Sequence, residues 1–160
     1  MAVYIPMIMV VTFLSYLAMH VRKNQRIILI VVSLIIPVIV AMLRYNNGAD
    51  YLMYLRMMKL AEVEGSLTTS FTSLKSIEVG YWYLLKICGF LWPGKYYLTY
   101  GLVALIIYGF CYAAIWQQSK NPMLSIFLFF AAGIYFDSFN GLRQYIAVAI
   151  VVFAYKYIET

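Results

Sequence analysis

The residues best suited to chemistry fall in two short charged clusters, RYNNGADY at 44–51 and DSFNGLRQ at 137–144, with Glu78 between them in sequence. Both clusters border long apolar runs. An ionisable group beside or within hydrocarbon is costly, so such residues are functional candidates by default. Arg143 stands at the start of a predicted helix, where a cation opposes the positive end of the dipole and calls for an anion. Asp137 is its local partner, and Asp50, Glu78 or a ligand phosphate are the distant ones. Asn46, Asn47 and Gly48 make a turn that permits left-handed backbone and can present amides to an anion, and Asn140 with Gly141 repeats the pattern. Each residue also has a structural reading. Arg44, at a helix end, can snorkel to lipid head groups; Asp50 can cap the helix that follows it; Glu78 suits the dipole of the segment it opens.

The elements that must position these groups are membrane helices. Of the 160 residues 65% are hydrophobic and 11% charged, with mean hydropathy +0.84, whereas a soluble domain carries about 25% charged residues. The fold class is therefore all-α, as a polytopic membrane protein. The net charge of +6 sits between apolar blocks and follows topology, which argues against a nucleic-acid partner. Uninterrupted apolar runs predict five transmembrane helices, over Ala2 to Met19, Ile27 to Leu43, Tyr96 to Trp116, Pro122 to Phe136 and Gln144 to Ile158. At about 1.5 Å per residue these reach roughly 22 to 31 Å, against a hydrocarbon core of about 30 Å. The first run has no basic n-region or small-residue cleavage pattern and reads as a retained helix.

The stretch Gly80 to Trp92 is shorter and carries Lys86 in its middle, so it is predicted as a re-entrant or interfacial half-helix, stopped by Pro93 and Gly94. Arg22, Lys23 and Arg26 make the first loop cytoplasmic by the positive-inside rule, which leaves the amino terminus and Arg44 outside. If Gly80 to Trp92 does not cross, the two charged clusters share the outer face; if it crosses, they fall on opposite sides. Its length favours the first topology. Tyr51 to Glu64 reads as an outer amphipathic helix, with Arg56, Lys59 and Glu62 on one side and Leu52, Leu55, Met58 and Val63 on another. Gly65 closes it, and Ser66 to Ser76 is an extracytoplasmic loop.

No cofactor motif or His/Cys metal set is present, and Cys88 and Cys111 read as inert core residues. Gly109 and Ala113, four apart, are suited to close helix packing. Tyrosines crowd the charged clusters beyond what interfacial anchoring requires, namely Tyr45, Tyr51, Tyr54, Tyr81, Tyr83 and Tyr145. Sugar rings stack on such faces, and the hydroxyl adds a polar handle.

The order of motifs resembles a known family. After two helices come R-Y-x-x-G-x-D-Y-x-x-Y, here Arg44 to Tyr54, then E-x-G-Y, here Glu78 to Tyr81, and later N-G-L-R-Q-x-I-A-x-A-I, here Asn140 to Ile150. This is similar to the EpsG-like family of bacterial exopolysaccharide and capsule proteins, related to Wzy-type polymerases. Ala49 stands where Thr is usual and Tyr145 where Ser often follows Arg-Gln; the charged positions are intact. The resemblance implies a single transmembrane domain over residues 1–160, forming the amino-terminal portion of a longer polytopic protein in the bacterial inner membrane. It also implies a membrane glycosyltransferase that joins lipid-linked repeat units on the outer face, with no cofactor. The partners implied are a polyprenyl-diphosphate-linked oligosaccharide, membrane lipid and other polysaccharide synthesis or export proteins. Arg44 and Arg143 would stabilise the departing diphosphate and Asp50 or Glu78 would deprotonate the acceptor hydroxyl, with Asp50 preferred for its place in the tighter motif. Tyr45, Asn47, Gly48, Tyr51, Tyr81, Asn140 and Gln144 would contact substrate. The rival readings are a non-catalytic subunit of a synthesis or export complex and a transporter of lipid-linked oligosaccharide.

Overall fold

The computed structural model describes residues 3–63 and 78–158, all in helices and short connections with no strand among them. The helices are α1 (Tyr4–His20), α2 (Lys23–Met42), α3 (Tyr51–Val63), α4 (Val79–Leu91), α5 (Tyr96–Gln118), α6 (Pro122–Ala131), α7 (Ile134–Asp137) and α8 (Leu142–Ala154), followed by a 3-10 turn at Tyr155–Tyr157. The predicted stop at Gly65 and the Ser66 to Ser76 loop lie outside the described residues.

Two helices, α2 with 20 residues and α5 with 23, are long and apolar enough to cross a bilayer; α1, α4 and α6 are apolar but shorter. The run Pro122 to Phe136 is not one helix. Pro122 opens α6 at a position where no amide is needed, and Asn121 caps it by accepting from the Leu124 amide at 3.3 Å. Gly133 ends it, with φ of +82°, a left-handed conformation that closes helices and that glycine adopts without a Cβ penalty. The chain then re-enters helix for one turn as α7, which buries Tyr135.

Helix α5 is the hub, packed on α2, α6 and α8, while α1 lies against α2 and α6. The buried stripe of α1 is Met7, Val11, Ser15 and Ala18, at helical spacing. Small residues let backbones approach where hydrophobicity alone cannot drive association in lipid. The close approach of α2 and α5 occurs at Gly101, where a Cβ would come within 2.9 Å of Met42. Gly109 does not serve the close packing expected of it, since a Cβ there would meet nothing within 4 Å.

Pro37 lies inside α2. Lacking an amide hydrogen, it leaves the Ser33 carbonyl without its helical donor. The Tyr112 hydroxyl of α5 donates to that carbonyl at 3.2 Å, and the Tyr135 hydroxyl of α7 donates to the Pro37 carbonyl at 3.0 Å. Two buried tyrosines thus bind the α2 irregularity to its neighbours. Leaving a buried carbonyl unmet would cost about 1–3 kcal/mol.

Helices α3 and α4 pack side by side in the same direction, with Tyr54 beside Tyr81 and Glu62 beside Gly89, and α4 joins the pair to α5. The face α3 buries differs from the one expected. Tyr51, Tyr54, Met57, Met58 and Ala61 are inward, whereas Leu52 and Val63 are exposed. Tyrosine contributes more contact area than leucine and brings its own hydroxyl partner, so the tyrosine stripe sets the rotation. Glu62 accepts a 2.7 Å hydrogen bond from Tyr96, tying the end of α3 to the start of α5. Lys86 is buried over the Trp82 ring, 5.6 Å from its centroid.

Candidate functional site

The two charged clusters meet at one end of the bundle. Arg44 follows α2 and is 8% exposed. It does not snorkel to a surface. Its guanidinium lies 4.5 Å from the centroid of Tyr100, in α5, and 4.7 Å from that of Phe139, in the turn before α8. Its Nε and both terminal nitrogens are buried and have no hydrogen-bond partner among the described residues. Burial pushes its pKa down from the ordinary arginine value, although a guanidinium stays charged across any physiological pH.

Around this cation the loops interlock. Asn46 and Gly48 adopt positive φ, at 47° and 106°, as the Asn-Asn-Gly sequence predicts. At Gly48 a Cβ would stand 2.7 Å from Asn140 Oδ1, so the first cluster lies directly on the second. Asn47 donates to the Tyr4 hydroxyl at 2.7 Å, which brings in the start of α1. Tyr51 stacks on Tyr100 with centroids 5.4 Å apart and planes at 16°, and the exposed Tyr45 meets Tyr51 edge-on at 6.1 Å. Asp50, half-buried, stands at the head of α3, where its carbonyl accepts from the Tyr54 amide.

Arg143 takes Glu78 as its partner, at 2.7 Å, and not the sequence-local Asp137, which is exposed. The pair closes the end of α3 and α4 that carries Tyr54 and Tyr81, since Glu78 precedes α4 and Arg143 lies in the first turn of α8. Glu78 is held below the usual carboxylate range, first by its own backbone amide and then by the Arg143 guanidinium. Arg143 also reaches the Tyr54 hydroxyl, which in turn donates to the Asn140 carbonyl at 3.1 Å. Tyr81 is buried, 6.2 Å from Tyr54 between ring centroids, and its hydroxyl has no partner. Gln144 is exposed at the rim.

The residues that sequence reasoning missed are Tyr100 and Phe139, which cage Arg44, and the buried Tyr108 and Tyr135 behind them. Tyr108 and Ser138 share a 3.0 Å hydrogen bond, and Ser138 donates to the Tyr135 carbonyl at 2.6 Å, so the turn of the second cluster is fixed from below. One signal was present. Tyr96, Tyr100, Tyr108 and Tyr112 recur at multiples of four along α5, a stripe that winds by about 40° with each step of four. Among the described residues no group of three His, Cys, Asp or Glu could hold a metal ion; Cys88 and Cys111 are free thiols.

The end of the bundle thus presents one buried cation, one cation paired with a carboxylate, a further half-buried carboxylate and aromatic faces. That set can bind an oxyanion and stack a sugar ring. No curated protein and no solved structure matches the chain. A sequence model of the EpsG family, however, matches residues 27–160, a stretch that contains every charged residue just described. Helices long and apolar enough to span a bilayer, the motif order and that match agree: the chain belongs to the EpsG family of exopolysaccharide-related membrane proteins.

Proposed function

We propose that the chain is the amino-terminal part of a membrane glycosyltransferase that lengthens a polysaccharide by joining polyprenyl-diphosphate-linked repeat units. The reading rests on one observation, the convergence of Arg44 to Tyr51, Glu78 and Asn140 to Arg143 at one end of the bundle. In the reaction the bond from the donor sugar's anomeric carbon to the diphosphate oxygen breaks, and the electron pair leaves with the carrier. A bond to the acceptor hydroxyl oxygen forms, and its proton passes to a carboxylate. Arg44 and Arg143 stabilise the charge on the departing diphosphate. Asp50 is the better base, because Glu78 is engaged by Arg143 and is held low. Tyr45 offers an exposed stacking face, with Tyr51 buried behind it against Tyr100; Asn47, Gly48, Tyr81, Asn140 and Gln144 complete the substrate surface.

In the membrane we propose five crossings, by α1, α2, α5, the α6–α7 pair and α8, with the α3–α4 pair held at the outer face. The starts of α1, α5 and α8 and the ends of α2 and α7 all lie at the Arg44 end, which suits alternating directions. The membrane is the bacterial inner membrane, and the other face carries Arg22, Lys23 and Arg26.

Supplying lipid-linked repeat units to the purified full-length protein should give longer glycans, and Asp50→Asn should remove that extension. Full extension by Asp50→Asn would sink the base assignment. In a background free of Cys88 and Cys111, thiols placed at 47 and 144 should label from outside intact cells and one at 120 should not; labelling of 47 and 120 together would break the topology.

A further inference from the structure

Arg44 is the group whose chemistry the fold leaves least answered. Cation–π contacts address the faces of a guanidinium, whereas its five N–H bonds lie in its plane. Tyr100 and Phe139 take the faces, and the in-plane nitrogens Nε, Nη1 and Nη2 have no hydrogen-bond partner. Among the described residues four further buried side-chain atoms share that condition, and two of them, the Tyr81 hydroxyl and Asn140 Oδ1, belong to the end of the bundle that holds Arg44. Tyr81 is 6% exposed, and its ring meets that of Tyr54, whose hydroxyl donates to the carbonyl of Asn140, next to the Phe139 ring that covers Arg44. Asn140 sits under Gly48 and is fixed by Tyr54 through its backbone carbonyl. A half-turn of its amide exchanges Oδ1 for the NH2 group without changing its outline.

We propose that Arg44 and the Tyr81 hydroxyl form an internal oxyanion site that takes a phosphoryl group, with the Asn140 amide at its edge. The guanidinium fork fits two oxygens of a tetrahedral phosphate, and the phenol supplies a donor to a third. A carboxylate would have to share an oxygen between the fork and Tyr81, whereas a tetrahedral phosphate brings a third oxygen for the phenol. Apolar ligands would answer none of these atoms. Only the identification of that phosphoryl group with the carrier diphosphate rests on the glycosyltransferase reading; the site itself does not.

The orphaned hydroxyl gives the test an uncommon double signature. A hydroxyl that serves the fold costs stability when removed, whereas one reserved for a ligand does not. Inorganic pyrophosphate titrated onto the purified full chain in detergent, at constant ionic strength, should raise its unfolding temperature. Tyr81→Phe should unfold at the same temperature or higher without pyrophosphate and bind it about tenfold more weakly. Arg44→Met should abolish the pyrophosphate effect. Should that variant fail to fold, Arg44→Lys keeps the charge and loses the fork, and it too should bind about tenfold more weakly or worse. Wild-type binding by Tyr81→Phe or by Arg44→Lys would overturn the proposal, as would destabilisation of ligand-free Tyr81→Phe. Competition by farnesyl diphosphate supports the site and assigns it to the carrier; competition by phosphatidylglycerol vesicles supports it and assigns a lipid head group. Pyrophosphate binding retained by Asp50→Asn, whether or not glycans are extended, separates this site from the reaction.

Discussion

The two ends of the bundle each hold an arginine over an aromatic ring, and the rest of their surroundings differ. Arg26 lies 5.0 Å from the Trp116 centroid, a distance close to the 4.5 Å between Arg44 and Tyr100. Arg26 is exposed, as are Arg22, Lys23, Lys120 and Lys156 nearby. Water answers its donors there, and the contact is worth about 0.5–1 kcal/mol. Arg44 is enclosed and its in-plane donors are unanswered. Local order also differs. At the Arg26 end the polar contacts are single side chains on helix carbonyls or on one another, such as Gln118 to the Val152 carbonyl at 3.1 Å and Lys156 to Gln117 at 3.4 Å. At the Arg44 end, segments from α1, α2, α3, α4, α5 and α8 interlock, and Asp50, Glu62, Glu78 and Asp137 gather there. Ring distance alone therefore does not mark a functional cation; desolvation without a counter-charge does.

The comparison breaks most directly on activity. Arg44→Ala should lower polymer yield by about 100-fold or more, as loss of a charge-stabilising donor does, while Arg26→Ala should change it less than about twofold, given its solvation. Both are read from glycan yield in cells at matched protein levels, and equal losses would erase the distinction. Next in size are the tyrosines that serve the Pro37 irregularity, midway between the ends. Tyr112→Phe should destabilise by about 1–3 kcal/mol in detergent unfolding, because the Ser33 carbonyl loses its donor. In Pro37→Ala, which restores an amide to that carbonyl, the same change should cost much less; an unchanged cost would place the Tyr112 effect elsewhere.

Two glycines sharpen the contrast in packing. Gly48→Ala meets both a φ of +106° and Asn140 Oδ1 at 2.7 Å, so it should cost about 1–3 kcal/mol. Gly109→Ala, facing open space within α5, should be neutral or stabilising by roughly 0.5–1 kcal/mol, as a helical Gly-to-Ala change is. The smallest effect belongs to the Glu78–Arg143 pair, whose carboxylate side chain is 63% exposed, so solvent limits it to about 0–1 kcal/mol. Because Glu78 is lowered in the fold, its contribution is present above the ordinary carboxylate pKa and is lost as pH falls through the folded value. Glu78→Gln should remove that acid-side slope and leave stability above it flat; an unaltered slope would show that the pair carries no linkage.

Much of the scaffold was legible. Proline at 122 and glycine at 133 punctuate the chain by local sterics, yet the apolar count across them reads as one run, because hydropathy does not weigh backbone conformation. The charged clusters announced themselves by cost in hydrocarbon, and Gly48 by its turn sequence. The partner of Arg143 was open among three carboxylates and a ligand phosphate; separation in sequence favoured Asp137, but the packing of the helices brings Glu78 to it across 65 positions. The buried face of α3 was misjudged because leucines and tyrosines both satisfy helical spacing, and only contact with α4 and α5 chooses between rotations.

By itself the sequence determined that the chain is helical and apolar enough for a membrane, where most of its helices lie, and which charged residues are expensive enough to need a purpose. Those properties follow from composition and from neighbours a few positions apart. Tertiary structure alone decided that Arg44 is enclosed by Tyr100 and Phe139, that Tyr112 and Tyr135 serve α2, and that the Tyr81 hydroxyl is left for something else. Each depends on how helices far apart in sequence are rotated against one another, and that is settled by the summed packing of the bundle.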